Sequence, residues 1–148
     1  MVDKFTILLS IHVLAAALWV GVGLAVNVAM ALAARSGEPA NMLAGLRFAK
    51  ALGTWFFPWI ALVVFASGAW LVGEYFDWDL LWVQIGMAGV IVATAIGVLY
   101  LKPKAAAGIE AMERGDPPPP GRNWVPIVAR LNFLLVSTVL VLMVIRPT

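Results

Sequence analysis

Residues 5–33 read FTILLSIHVLAAALWVGVGLAVNVAMALA, 29 positions without one Asp, Glu, Lys or Arg. As a helix rising 1.5 Å per residue, this run is roughly 43 Å long, against the ~30 Å hydrocarbon core of a bilayer. Hydrocarbon offers no water to an unpaired amide, so the run must close its own hydrogen bonds as a helix. It is too long for the apolar part of a secretory signal peptide and has no basic segment beyond Lys4 before it. It is therefore read as a retained helix at the very start of the chain.

Three further runs, at about 53–73, 80–101 and 125–145, approach the roughly 20 apolar residues that a span requires. Of the 148 residues, 63% are hydrophobic and 12% charged, against roughly 45–50% and 25% in soluble domains. The expected fold is all-α, a transmembrane four-helix bundle in which residues 1–148 form a single integral membrane domain. There is no cysteine, which excludes disulfides, thiolate metal sites, covalently held haem and cysteine nucleophiles within the chain. There is one histidine, so nothing that needs two imidazoles can be built from a single copy. A net charge of +2 and a pI near 9.3 follow from basic loops on one side of a membrane, and no nucleic-acid partner is expected.

Arg35, Arg47 and Lys50 lie between the first two spans, and Lys102, Lys104, Arg114 and Arg122 between the last two, with Arg130 just inside the fourth. The middle connection holds Glu74, Asp77 and Asp79 and no base. By the positive-inside rule the two basic loops are cytoplasmic and both termini lie outside, so eight of the ten basic residues are inside and only Lys4 and Arg146 are opposed. Trp55, Trp59 and Trp124 then fall near the cytoplasmic interface, and Trp70, Tyr75, Trp78 and Trp82 near the outer one, where amphipathic rings prefer to sit. Trp19 is left near the bilayer middle. Met42, Leu43 and Leu46 beside Arg47 and Lys50 predict either an interfacial helix or an extension of the second span. Residues 104–114 are expected to continue the third helix into water, with Glu110 and Arg114 spaced for an i,i+4 pair. Pro117 to Pro120 should end it as a stiff spacer.

Apolar side chains gain little by leaving lipid for a protein interior, so helices in a membrane meet through small residues and hydrogen bonds. The third span offers Gly86, Gly89, Ala93 and Gly97 at steps of three and four; the first offers His12, Ala16, Trp19, Gly23 and Asn27. Both faces should point into the bundle. His12 lies about 10 Å below the outer surface if the helix enters lipid near Phe5. That depth is shared with Ser67, Gly68, Gln84, Met87, Thr138 and Met143. Near the opposite surface Asn27, Arg130 and Asn132 share a level, and Arg130 either bonds Asn27 or snorkels to phosphate. An ionisable residue inside a membrane is a functional candidate, although a neutral histidine also serves as a bridge between helices. Met87 and Met143 read first as packing, Gln84 as a bond between helices, and the acidic triplet as a solvated loop before a metal site. No span has an acidic residue in its interior, which disfavours proton-coupled transport through a carboxylate.

Taken together, His12-Val-Leu-Ala-Ala-Ala-Leu-Trp19-Val-Gly-Val-Gly23, Pro58 followed by Ser67-Gly68-Ala-Trp70, Leu81-Trp82-Val-Gln84, and Arg130-Leu-Asn132 with a terminal Arg146-Pro147 resemble the four-helix bacterial membrane proteins grouped around HemJ and CopD. The resemblance covers all four spans through short apolar motifs. It implies a bacterial inner-membrane location and, on the HemJ side, protoporphyrinogen oxidation and b-type haem; on the CopD side it implies copper entry. HemJ-type proteins typically carry a lysine where this chain has Gln84 and a second histidine further along helix three, and an acidic residue where it has Phe133. His12, Arg130 and Asn132 are the positions that carry over, and the pattern is that of a sister family with the same architecture.

Three functions follow as expectations. The first is a haem b or porphyrin site on His12, with Met87, Met143 or the His12 of a second copy as the other ligand. The second is a non-catalytic accessory subunit of a larger membrane complex, in which His12 only packs. Copper transport ranks third, because the six methionines do not cluster in the sequence. Besides the bilayer, the partners left open are a second copy and a larger complex.

Overall fold

The computed structural model describes residues 3–117 and 122–145 and is helical throughout its regular structure. In chain order the helices are α1 (Lys4–Ser36), α2 (Pro39–Trp55), α3 (Phe57–Tyr75), α4 (Leu81–Ala95), α5 (Lys102–Arg114) and α6 (Val125–Ile145). A widened π-helical turn, Ile96–Leu101, joins α4 to α5 without a break, and a short 3₁₀ turn, Arg122–Trp124, precedes α6.

Four stretches are long and apolar enough to cross a membrane: Lys4–Ser36, Pro39–Tyr75, Leu81–Arg114 and Val125–Ile145. Helix α1 packs on α3 and α6, and α4 on α3 and α6, which closes a ring of four. The second and third spans run past the bounds expected from hydropathy. Helix α2 leads into α3 through the single residue Phe56, where Pro58 lacks the donor to continue the ladder unbroken; the amides of Phe56 and Ile60 still reach Leu52 O and Phe56 O at 2.9 Å. Of residues 37–52, those from Pro39 onward thus form an extension of the second span. Helix α5 likewise extends the third, as expected, and Glu110 pairs with Arg114. Pro103, the second residue of α5, follows the π turn, whose wider ladder moves the backbone away from the proline ring that would strike the carbonyl four residues earlier.

Helices α2 and α5 lie side by side at the end of the bundle that carries the basic residues. Small residues permit this approach: Gly108 faces Leu46, Gly45 faces Met30 and Ala33 of α1, and Arg47 reaches Glu113 at 2.6 Å across the pair. Gly37 (φ 68°) ends α1 and Gly115 (φ 72°) ends α5 in the left-handed conformation that L side chains avoid. The proline spacer beyond Pro117 and the Arg146-Pro147 motif lie outside the described residues.

At the acidic end Asp3 caps α1 through Thr6 N at 2.8 Å. Lys4 bonds Glu74 at 2.6 and 2.8 Å, and Trp70 donates to the same carboxylate at 2.7 Å. Both ions are exposed, so the pair contributes little to stability. The outer surface is apolar: Leu14 is 64% exposed, and Leu99 and Val144 are 76% exposed. Such a girdle suits hydrocarbon and not water. Trp55, Trp59 and Trp124 stand exposed at the basic end and Trp70 and Trp78 at the acidic end.

The inward faces are those expected. Gly86, Gly89 and Ala93 are buried, and Gly86 and Gly89 receive Met143 and Val139 of α6. On α1, Trp19 is buried and His12, Ala16, Gly23 and Asn27 are half-buried. Trp19 packs with Ala15, Ala61, Val64 and Ala93 in the bundle's core.

Candidate functional site

His12 sits two turns inside α1 and turns onto α3. Its Nδ1 is 3.0 Å from the carbonyl oxygen of Val64 and 3.0 Å from Ser67 Oγ. A carbonyl can only accept, so Nδ1 carries the proton. The Ser67 hydroxyl spends its own proton on Val63 O at 2.6 Å and is free to accept from the imidazole. The neutral ring is therefore the Nδ1–H tautomer, with the lone pair on Nε2. Nε2 has no hydrogen-bond partner among the described residues and is not sealed from the space around it. Gly68 makes the ring position available: a Cβ there would lie 2.9 Å from His12 Cε1.

The ring borders a cavity of about 320 Å³ between the four spans, within the ~300–1,000 Å³ range of small-molecule sites. Its walls include Trp19, Gly68, Gly86, Met87, Gly89 and Met143, and no charged side chain. Phe76 and Trp82 line it at the acidic end, edge to face with centroids 5.3 Å apart. Phe5 lies against Tyr75 and Phe76 nearby.

Of the residues singled out in the sequence, His12, Met87 and Met143 come together at this cavity. Gln84 does not join them. It is exposed and donates to the Trp78 carbonyl of its own connection at 3.4 Å, instead of bonding another helix. Thr138 is likewise exposed. Arg130 is exposed and forms no bond to Asn27, whose amide donates to Gly23 O one turn back at 2.9 Å. The paired arrangement is not formed, which leaves snorkelling as the remaining expectation. Asn132 lies with Asn27 at a second cavity towards the basic end, with its Oδ1 buried and unpaired. Among the described residues no three His, Asp or Glu side chains converge as a metal site, and Glu74 is engaged by Lys4 and Trp70. Sequence reasoning missed the Val64 carbonyl, which has no signature because every residue carries one.

Over residues 6–147 the chain matches a family described as "Predicted integral membrane protein (DUF2269)". No curated protein and no solved structure matches it. With a match over nearly its whole length and four helices of spanning character, the chain belongs to the DUF2269 family of integral membrane proteins.

Proposed function

We propose that this protein binds b-type haem or a related porphyrin within a bacterial inner membrane, with His12 as the protein ligand and both termini outside. The observation that carries the reading is the His12 tautomer. Nδ1–H is held by a carbonyl of the neighbouring helix, as in histidines that ligate metals. The Nε2 lone pair is left for a ligand beside an apolar cavity of about 320 Å³.

The donor set fits such a group. His12 would hold the group through its imidazole nitrogen, and Met87 and Met143, which line the same cavity, would offer thioethers. These walls hold no charged side chain, so the carboxylates of a haem would have to reach the membrane–water boundary. When bound, the group supplies one-electron chemistry at an iron. The chain's part is to fix the imidazole, set its tautomer and exclude water from the surrounding space. The likeness of the His12 and Arg130-Leu-Asn132 segments to HemJ-type helices supports the same reading.

Protein purified from haem-replete cells in mild detergent should show a Soret band. His12→Ala should lose it while keeping its helical circular dichroism and its yield. A full haem spectrum in that variant removes His12 as ligand. A wild type without any such band favours the second reading, an accessory subunit in which the bond from His12 to Val64 and Ser67 only ties α1 to α3.

A further inference from the structure

Lys102 is the one charged side chain among the described residues that wall either cavity. It borders the second, of about 150 Å³, which lies towards the basic end and is parted from the first by Trp19, Val20 and Val136. The lysine is half-buried and forms no ion pair with a described acid, whereas Arg47 and Arg114 of the same end are paired with Glu113 and Glu110. The base of its side chain faces Gly53 of α2, where an added Cβ would lie 3.9 Å from Lys102 Cβ. On the helical rise Lys102 stands ~32 Å beyond Leu81, the first residue of α4, and so at the basic-end boundary of a hydrocarbon core ~30 Å thick.

Along α1 this cavity is walled from Trp19 to Met30, a length of roughly 16 Å. A volume of about 150 Å³ over that length has the width of one alkyl chain and not of a macrocycle; apolar cavities of roughly this volume stay dry and take small hydrocarbons. Gly97, in the π turn just before Lys102, lines it with nothing within 4 Å of an added Cβ. An unpaired cation beside apolar walls is costly, and an anion relieves that cost. The charge stands at the boundary, and the apolar space runs from it towards Trp19 near the bilayer middle, which is the layout of an amphiphile with its head at water and its tail in hydrocarbon. We infer that the second cavity is a binding site, separate from that of His12, for a single-chain amphiphile with an anionic carboxylate or phosphate head, the head meeting Lys102 and the tail lying along α1.

The test is calorimetric titration of the full-length protein in phosphatidylcholine nanodiscs, corrected for empty discs, with octanoate, octyl phosphate, 1-octanol and octyltrimethylammonium. The tighter of the two anions should bind at least tenfold more tightly than the alcohol and identifies the head; the cation should bind least. Lys102→Met should remove the preference for an anion and Lys102→Arg should keep it. Gly97→Leu, whose side chain enters the open space, should weaken anion binding at least tenfold, and His12→Ala should leave it unchanged. Equal binding of anions and alcohol by the wild type overturns the proposal, as does no binding of any probe. A preference that survives Lys102→Met overturns it too, and undiminished binding in Gly97→Leu would put the anion on the basic surface alone. Should Lys102→Met fail to fold, Gly97→Leu and the wild-type comparison decide. Loss of binding in His12→Ala would place the tail in the first cavity, against the proposal.

Discussion

Gly68 is the position at which one methyl group acts most directly on the candidate ligand. A Cβ there would stand 2.9 Å from His12 Cε1 and 3.4 Å from Nδ1, closer than carbon atoms pack, so the imidazole must shift and strain its bond to Val64 O. Gly68→Ala should destabilise the bundle by about 1–3 kcal/mol, the usual range for overpacking. It should also shift or weaken any Soret band, read by thermal unfolding and absorption in detergent. Asp3 offers a pH-dependent contrast at the start of α1. Thr6, through its hydroxyl first and its amide second, bonds this carboxylate and holds the carboxyl below the usual carboxylate range. Because the folded value lies below the unfolded one, the cap's contribution is present above the ordinary value and is lost as pH falls through the lowered one. The first turn of α1 should therefore fray in acid, below about pH 4. Faster hydrogen exchange at the Thr6 amide would register this, and Asp3→Asn, which caps without titrating, should remove the pH dependence.

Between elements, the glycines that an added side chain would crowd most lie where α4 meets α6. Gly86 and Gly89 receive Met143 and Val139, and a Cβ at position 89 would lie 2.5 Å from Val139 Cγ2. Gly89→Leu should push the helices apart and cost about 1–3 kcal/mol or more. Gly73→Ala, where a Cβ meets nothing within 4 Å, should be neutral or slightly stabilising. Equal melting temperatures for the two variants would show that α4 and α6 do not rely on this contact. The stripe is legible in the sequence because small residues at steps of three and four fall on one helical face. Its partner is not legible, since each of the other spans offers Val and Leu at suitable depth. The same holds for α2 and α5. Their helicity is written in residues 39–55 and 102–114, but their pairing is made by Gly108 against Leu46 and by Arg47 with Glu113.

For the whole molecule the open quantity is the direction of insertion. The absence of cysteine makes single-cysteine labelling clean. In intact cells Asp77→Cys should react with a membrane-impermeant maleimide, and Asp116→Cys should react only after lysis, if the basic loops are cytoplasmic. The opposite pattern would invert every assignment of inside and outside. Local chemistry determined the four spans, their inward stripes and the acidic and basic ends, because hydropathy, helical period and charge are properties of a segment by itself. It also singled out His12 as the one imidazole available. Only the tertiary structure decided that α1 lies against α3, that His12 gives its proton to the Val64 carbonyl, and that Gln84 and Arg130 stay outside the bundle. It also set Trp19 between two cavities. In lipid the choice of neighbour has no strong hydrophobic term and rests on close packing between distant segments. A backbone carbonyl as acceptor is common to every residue, so no pattern along the chain marks the one that is used.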